Sequence, residues 1–322
     1  MNVTVLLLSV DEAPMLERSL PAALAQQPSP EVVVIDNACA DATAELAAAH
    51  GVHRIALTPR HSYAAALNAA IAATGGEAVL FLNADCFLHP GFLAAALPRL
   101  AEVGVGSVAP KLLRATAGTP SQIDAAAMFI DRRRKNGLVG HGCPALSHAR
   151  PAPAFGADGA AALYRRETLA ACRLGEAEVF DQDMALWASD ADLAWRAQLL
   201  GWRSVYEPAA VAEHVRTYSP STRAQLGEDH RRLQFRNRYL MMIKNETAAG
   251  LARDLGPIAL YELLALGHVV LRERQLLGGY RDAWRLRAAA RQRRRQVQQR
   301  HRQAQASGSV GPGPPFGLRP PL

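Results

Sequence analysis

"AVLFLNADCFLHPGF", residues 78–92, begins as a strand and ends in an acidic surprise. Val79–Leu82 is an unbroken apolar run, and it passes straight into Asn83, Ala84 and Asp85. Apolar runs without alternation are how strands covered on both faces read. The turn chemistry needed to leave such a strand is already supplied by His89-Pro90-Gly91. Asp85 therefore calls for a partner elsewhere in the chain.

Working outward, similar apolar runs occur at Val3–Val10, Val32–Ile35 and Arg54–Leu57. Helix-like stretches separate them: Glu12–Gln26, Asp41–His50 and Ser62–Thr74. Asp41 and Ser62 suit the N-caps of the second and third. The alternation predicts an α/β fold with a parallel, doubly wound sheet. In such sheets ligands bind beyond the carboxyl ends of the strands. Asp11, Asp36, Asn37, Asn83 and Asp85 all follow strand ends and fall on that one rim. Crowded carboxylates repel unless a cation joins them. A divalent metal carrying a diphosphate would do so, since hard cations take oxygen ligands.

The 322 residues, 49% hydrophobic, can bury a large core with an appendage. The net charge of +7 is uneven: arginines crowd the chain from Arg272 onward, while most acidic residues precede Asp254. This favours an anionic partner for the C-terminal part over a nucleic-acid-binding core. Cys39, Cys86, Cys143 and Cys172 form no CxxC pair, so a reducing cytoplasm fits and no zinc site is indicated. "VTVLLLSV" lacks the basic flank and cleavage site of a leader. No stretch reaches the ~18 uninterrupted apolar residues expected of a membrane span. The nearest, residues 256–271, is interrupted by Glu262 and His268.

Several motifs, in order, resemble family 2 glycosyltransferases of the GT-A fold, near the bacterial rhamnosyltransferase-like branch. "VVVIDNACADAT" resembles the strand-two signature of that family, with Cys39 in the Ser place and Ala42 in the Gly place. "FLNADC" resembles its Asn-Pro-Asp form of the metal-binding DxD motif. "FGADGAAALYRRETL" resembles the acceptor-side segment ending in Arg-Arg. "LWASDADLAWRAQLLGWRSVYEPAAVAEH" resembles the stretch carrying Glu-Asp-x-Asp-Leu-x-x-Arg, Gly-Trp, a strand and a His. "RNRYLMMIKN" has a counterpart after the catalytic domain. The match spans residues 3 to 245.

The resemblance implies a Rossmann-like, mostly parallel sheet flanked by helices, and a nucleoside diphosphate sugar as donor. It places Asp36 on the base or ribose, Asp11 at the base pocket and Asn83 in the first DxD position. Asn37 and Arg60 join the nucleotide-sugar side, Arg60 as a phosphate contact or a solvated loop residue. Asp85 matches the metal-binding aspartate and His214 a further ligand for Mn2+ or Mg2+. Asp190 matches the catalytic base of an inverting hexosyltransferase, acting on a hydroxyl of a glycan or lipid-linked acceptor in cell-surface polysaccharide synthesis. Asp192 suits the start of a helix, paired with Arg196 four residues on.

Two departures stand out. Ser189 replaces the usual Glu, and Arg60–Ser62 replaces Asn-x-Gly. A catalytically weakened sugar-nucleotide-binding protein is the alternative they raise. A nucleotidyltransferase is disfavoured, because no Gly-rich triphosphate loop follows the first strand. The basic segment Arg132–Lys135 meets a phosphate-bearing lipid acceptor or is solvated. The chain divides into a catalytic domain at 1–245, a basic helical region at 246–303, and a Pro/Gly-rich tail at 304–322 expected to be disordered. The basic helix is either a membrane-surface element on an anionic inner leaflet or a charged helix packed on the catalytic domain. No nucleic acid partner is expected.

Overall fold

The protein is described from a computed structural model, covering residues 1–115, 121–216, 225–308, 310 and 316–317. The apolar runs form β1 (Val3–Ser9), β2 (Glu31–Asn37), β3 (His53–Leu57) and β4 (Ala78–Asn83). Between them lie α1 (Ala13–Leu24), α2 (Thr43–Ala49) and α3 (Tyr63–Ala73). β1 is parallel to both β2 and β4, with Leu8 level with Ile35 and with Asn83. Because the three strands end level, their following loops share one rim. Ser62 caps α3 by accepting the Ala65 amide at 3.3 Å. Asp41 is not the residue flanking α2, which begins after Ala42. It accepts the amides of Thr43 (3.1 Å) and Ala13 (2.7 Å), so it ties the starts of two helices together.

The chain continues through β5 (Cys86–Leu88), α4 (Phe92–Ala101), β6 (Val105–Arg114), β7 (Ile123–Ala125), β8 (Met128–Ile130), β9 (Asn136–Leu138) and β10 (Ala152–Ala154). Then come β11 (Ala161–Arg165), α5 (Arg166–Ala171), α6 (Ser189–Leu199) and β12 (Arg203–His214). The main sheet runs β10-β12-β6-β11-β4-β1-β2-β3, with β5 on β12 and β7 on β6. β11 is antiparallel to its neighbours β4 and β6, and β12 is parallel to β6. The result is a mostly parallel sheet with helices on both faces. One apolar layer joins Leu16, Leu20, Phe92 and Leu100 to one face; the other joins Leu67, Ile71 and Leu193 to the opposite face. β12 and β5 pair antiparallel with His214 opposite Cys86. That register sets His214 beside Asp85.

The C-terminal region is helical: α7 (Glu228–Asn245), α8 (Ala248–Leu271) and α9 (Leu277–Ala306). Ala283, Ala290 and Val297 recur every seven residues on the buried side of α9, which packs along α7. Arg134, fully buried, fastens this region to the rest by pairing with Glu246 (2.5 Å) and Asp254 (2.9 Å). The 245/246 boundary thus falls between α7 and α8, and the helical region runs to Ala306 rather than 303. Within the tail, the Phe316 ring lies 5.0 Å from Trp195 and stacks on Phe155 at 6.1 Å. Residues 309, 311–315 and 318–322 lie outside the described residues. Among the described residues, α8 is long and apolar enough to cross a membrane by length and composition, with Glu262 and His268 interrupting its apolar run.

Candidate active site at the carboxyl rim of the sheet

On the β1–β2 side, loop geometry is set by side chains that bind backbone. Asn37 is buried and uses its whole amide group on His61, donating to its carbonyl (2.9 Å) and accepting its N–H (2.8 Å). It therefore shapes the 59–62 loop. Asp36, also buried, accepts the Cys39 amide at 2.9 Å and pairs with Arg54 at 2.6 Å. Asp11 accepts the Ala40 amide at 2.7 Å and the guanidinium of Arg60. Those contacts hold its carboxyl below the usual range. Arg60 also donates to the Ala38 carbonyl at 3.1 Å, which leaves it bridging two loops at the rim. Ligand atoms of Asp11, Cys39 and Asp41 lie within 4.8 Å of one another. The two carboxylates there already accept backbone amides, and burial pushes the Cys39 thiol up. That chemistry suits a knot closing two loops better than a cation site.

A better donor set lies under β4. His214 Nε2 stands 3.4 Å from Asp85 Oδ2, and its Nδ1 lies 2.8 Å from Asp124 Oδ2. Asp124 is fully buried and also accepts Arg216 Nε at 2.6 Å. Burial by itself would lower the imidazole pKa, but the carboxylates of Asp124 and Asp85 raise it to about 9. Burial likewise opposes the charge on Asp124, and hydrogen bonds from His214 and Arg216 override it, so its pKa is lowered. Asp85 and His214 present one oxygen and one nitrogen at a spacing that a single ion can bridge, since such bonds are roughly 2.1 Å. A carboxylate behind the second imidazole nitrogen is the usual way a metal-binding histidine is oriented. The residues thus fit a divalent cation. Burial first, and then the nearby Asp85 charge, push Glu12 up to about 6.

A cavity of about 230 Å³ opens here, lined by Asn83, Asp85, Asp158, Asp190, His214 and Arg216. Asp190 sits in the first turn of α6, after Ala188 at φ 61°. A non-glycine residue in the left-handed region is a strained conformation often found at functional sites. The Asp190 carboxylate accepts the amides of Gly159 (3.1 Å) and Ala191 (2.8 Å). Burial, and then the charge of Asp158, raise its pKa to about 6. Asp158 accepts Arg216 Nη2 at 3.0 Å. A second cavity, of about 630 Å³, shares Asp158, Trp187, Ala188, Asp190 and Arg216 with the first and extends to α7 and α8. The two cavities therefore meet at Asp190.

Asp192 is placed differently. It is fully buried, pairs with Arg196 at 3.0 Å and Lys244 at 3.0 Å, and accepts Asn245 at 2.7 Å. Ser189 lies inside α6 and does not cap it. The Arg-Arg end of the acceptor-side motif is also remote from the site. β11 carries Arg165 and Arg166 to the opposite rim, where they donate to the carbonyls of Val105 and Gly76. Only the Asp158–Ala160 end of that motif lines the smaller cavity. Asp124 and Arg216 escaped the sequence reading. Arg216 stands two residues after His214, but Asp124 has no signal in its own surroundings. The α9 arginines divide by face. Arg293 pairs with Glu178 (3.1 Å) and Arg294 donates to the Glu246 carbonyl (2.6 Å), while Arg281, Arg285, Arg291 and Arg295 are exposed.

Comparisons with known proteins agree with this architecture. A structure of GalNAc-T7 with UDP, GalNAc and Mn2+ superposes with a TM-score of 0.58 at 14% identity, over 76% of this chain. The match covers 48% of the GalNAc-T7 chain, about half its length. The mannosyltransferase PcManGT from Pyrobaculum calidifontis, in complex with GDP-Man and Mn2+, superposes at 0.54 with 21% identity, over 96% of this chain and 86% of its own. S. aureus TarS 1-349 with UDP-GlcNAc gives 0.57 at 14% identity, over 94% and 92%. At these identities the likeness shows the fold, which is GT-A. No curated protein matches by sequence. Residues 4–172, just over half of the chain, match the model for Glycosyl transferase family 2, and the protein belongs to that family.

Proposed function

We propose that the protein is a metal-dependent inverting glycosyltransferase, with Asp190 as its general base. The observation that carries this reading is the position of Asp190. Its carboxyl, raised to about 6, stands where the cavity holding Asp85 and His214 meets the larger one. A base near neutrality accepts a proton readily at working pH. The donor, a nucleoside diphosphate sugar of UDP or dTDP-rhamnose type, lies over the ends of β1, β2 and β4. Asp11, Asp36, Asn37 and Arg60 form or shape the nucleotide side, and Asn83 lies beside the sugar and diphosphate. Asp85 and His214 would hold Mn2+ or Mg2+, which supplies positive charge to the departing diphosphate when bound. Arg216, already in the same cavity, adds charge from the protein itself.

The acceptor, a glycan or lipid-linked alcohol, enters through the larger cavity. Its oxygen forms a bond to the anomeric carbon as the carbon–oxygen bond to the diphosphate breaks. The electron pair of that bond leaves with the nucleoside diphosphate. The hydroxyl proton passes to Asp190. A single displacement inverts the anomeric configuration, as with single-displacement glycosidases. Four free thiols suit a cytoplasmic setting, and the exposed arginines of α9 suit a peripheral place on an anionic inner membrane face.

The test is a panel of UDP-, dTDP- and GDP-sugars with Mn2+, read first by thermal shift and then by NMR of the transferred sugar. At least one donor should raise the melting temperature and yield product of inverted configuration. Product of retained configuration, or no donor bound at all, overturns the reading.

A further inference from the structure

α8 is built inside out. Along its C-terminal half, Glu262 and Tyr261 face the protein, while Arg253 and His268 are exposed. Glu262 pairs with Arg238 at 2.5 Å and accepts Tyr239 Oη at 2.6 Å, and the Tyr261 ring lies 4.5 Å from the Arg238 guanidinium. Its outward side carries Leu260, Leu263, Gly267, Val270 and Leu271, spaced three and four residues apart. Leu260, Leu263 and Leu271 are 59%, 69% and 77% exposed. A soluble surface helix has the reverse polarity. A contiguous apolar patch of this kind marks an interaction site.

Three features of the chain identify the occupant. First, exposed arginines follow the apolar face in sequence: Arg272, Arg274, Arg281 and Arg285. Arg272 and Arg274 directly follow the end of α8, and cations at the end of an apolar helix complement anionic headgroups. Second, Trp284 is 64% exposed, with the Arg287 guanidinium 3.7 Å from its ring centre. Tryptophan and arginine are favoured at the membrane–water boundary. Third, the cavity that reaches Asp190 is walled at its far end by α8 itself, through Tyr261, Leu264, Ala265 and Val269. Arg133 and Lys135 line the same cavity, and Lys135 is exposed with no side-chain partner among the described residues. An apolar wall, a cation and a base in one channel suit an amphiphile with an anionic link and a terminal hydroxyl.

We propose that α8 lies flat in the surface of an anionic bilayer, and that the acceptor is a phosphate-bearing lipid that reaches Asp190 along the α8 wall. The contacts of Glu262 and Tyr261 pin the helix to α7, so it lies along the membrane and does not cross it. The acceptor half of this proposal rests on the transferase reading above; the membrane half does not.

The membrane test uses the full chain and flotation with two vesicles, pure phosphatidylcholine and a 7:3 mixture of phosphatidylcholine with phosphatidylglycerol. The wild type should float with the anionic vesicles and retain part of that binding in high salt, where headgroup attraction is screened. Leu260→Glu with Leu263→Glu should lower flotation at least tenfold on either vesicle. Arg281→Gln with Arg285→Gln should lower it on the anionic vesicle alone. The Leu260/Leu263 double variant should keep its thermal shift with UDP and Mn2+, which separates loss of docking from loss of fold or donor site. Undiminished flotation of that variant overturns the proposal, as does a wild type that ignores both vesicles. So does a wild-type dimer in light scattering that the variant converts to monomer, since a second copy then covers α8. For the acceptor, dodecyl phosphate should bind by calorimetry where inorganic phosphate does not. Ala265→Trp, which fills the channel, should weaken that binding at least tenfold. Equal binding of both phosphates, or unchanged binding in Ala265→Trp, overturns the acceptor assignment.

Discussion

Replacing Asp192 by Asn tests whether it is the structural carboxylate of α6, distinct from Asp190, the proposed base. Asp192 is fully buried and surrounded by donors from Arg196, Lys244 and Asn245. The Asn side chain keeps the volume but offers one acceptor oxygen, and turns an NH2 group toward other donors. The cations of Arg196 and Lys244 then lose part of their compensation. Arg196 retains the carbonyl of Val179 (2.7 Å) and Lys244 retains Asp181. Disrupting a buried pair of this kind costs about 3–5 kcal/mol. At ~2.1 cal/mol/K per residue, unfolding this chain carries an entropy of about 0.7 kcal/mol/K, so the melting temperature should fall about 4–7 °C. Differential scanning calorimetry measures it. Turnover, assayed well below the transition, should change by less than about tenfold, because the proton acceptor is untouched. An unchanged melting temperature with turnover down ~10²-fold or more would move the base to Asp192 and refute this division of roles.

Three further outcomes follow from the site. Asp85→Ala should fold normally yet lose the Mn2+-dependent part of the thermal shift given by UDP, because the carboxylate proposed to hold the ion is gone; a retained Mn2+ effect would refute the proposed metal site. Asp124→Asn should weaken Mn2+ binding about 10–100-fold by calorimetry in the presence of UDP, since His214 loses the carboxylate that orients it. Unchanged affinity would show that Asp124 does not act through His214. The rate should also depend on acid. Asp190 accepts a proton only when ionised, and with a pKa of about 6 that form is lost as pH falls. kcat/KM should fall about tenfold per unit below pH 6 and level off above it; a plateau continuing down to pH 5 contradicts the assignment.

The first half of the fold was legible because buried parallel strands read as uninterrupted apolar runs. Even β3, an edge strand with partly exposed residues, was found within one residue of its start. The rim residues were legible for the same reason, since strand ends fix where their loops emerge. Asp124 was not, because its function is created by pairing with His214 across 90 positions. The arginines at Arg165 and Arg166 misled, because a motif read as one unit is drawn out along β11 from one rim to the other. In α8 the apolar stretch was legible, but its facing was not. Glu262 and His268 read as interruptions of an apolar stretch, yet Glu262 is directed inward to Arg238 and Tyr239. Linear apolar counting cannot tell an inward polar residue from an outward one, and the outward face is the informative one.

The central claim is that Asp190 takes the acceptor proton. Asp190→Asn removes that capacity near neutral pH while retaining size and a hydrogen-bond acceptor. The measurement is kcat at saturating donor for this variant beside the wild type, with donor affinity taken separately by calorimetry. The account predicts a fall in kcat of about 10²–10⁴-fold with donor affinity nearly unchanged. A variant that transfers sugar at the wild-type rate would contradict it.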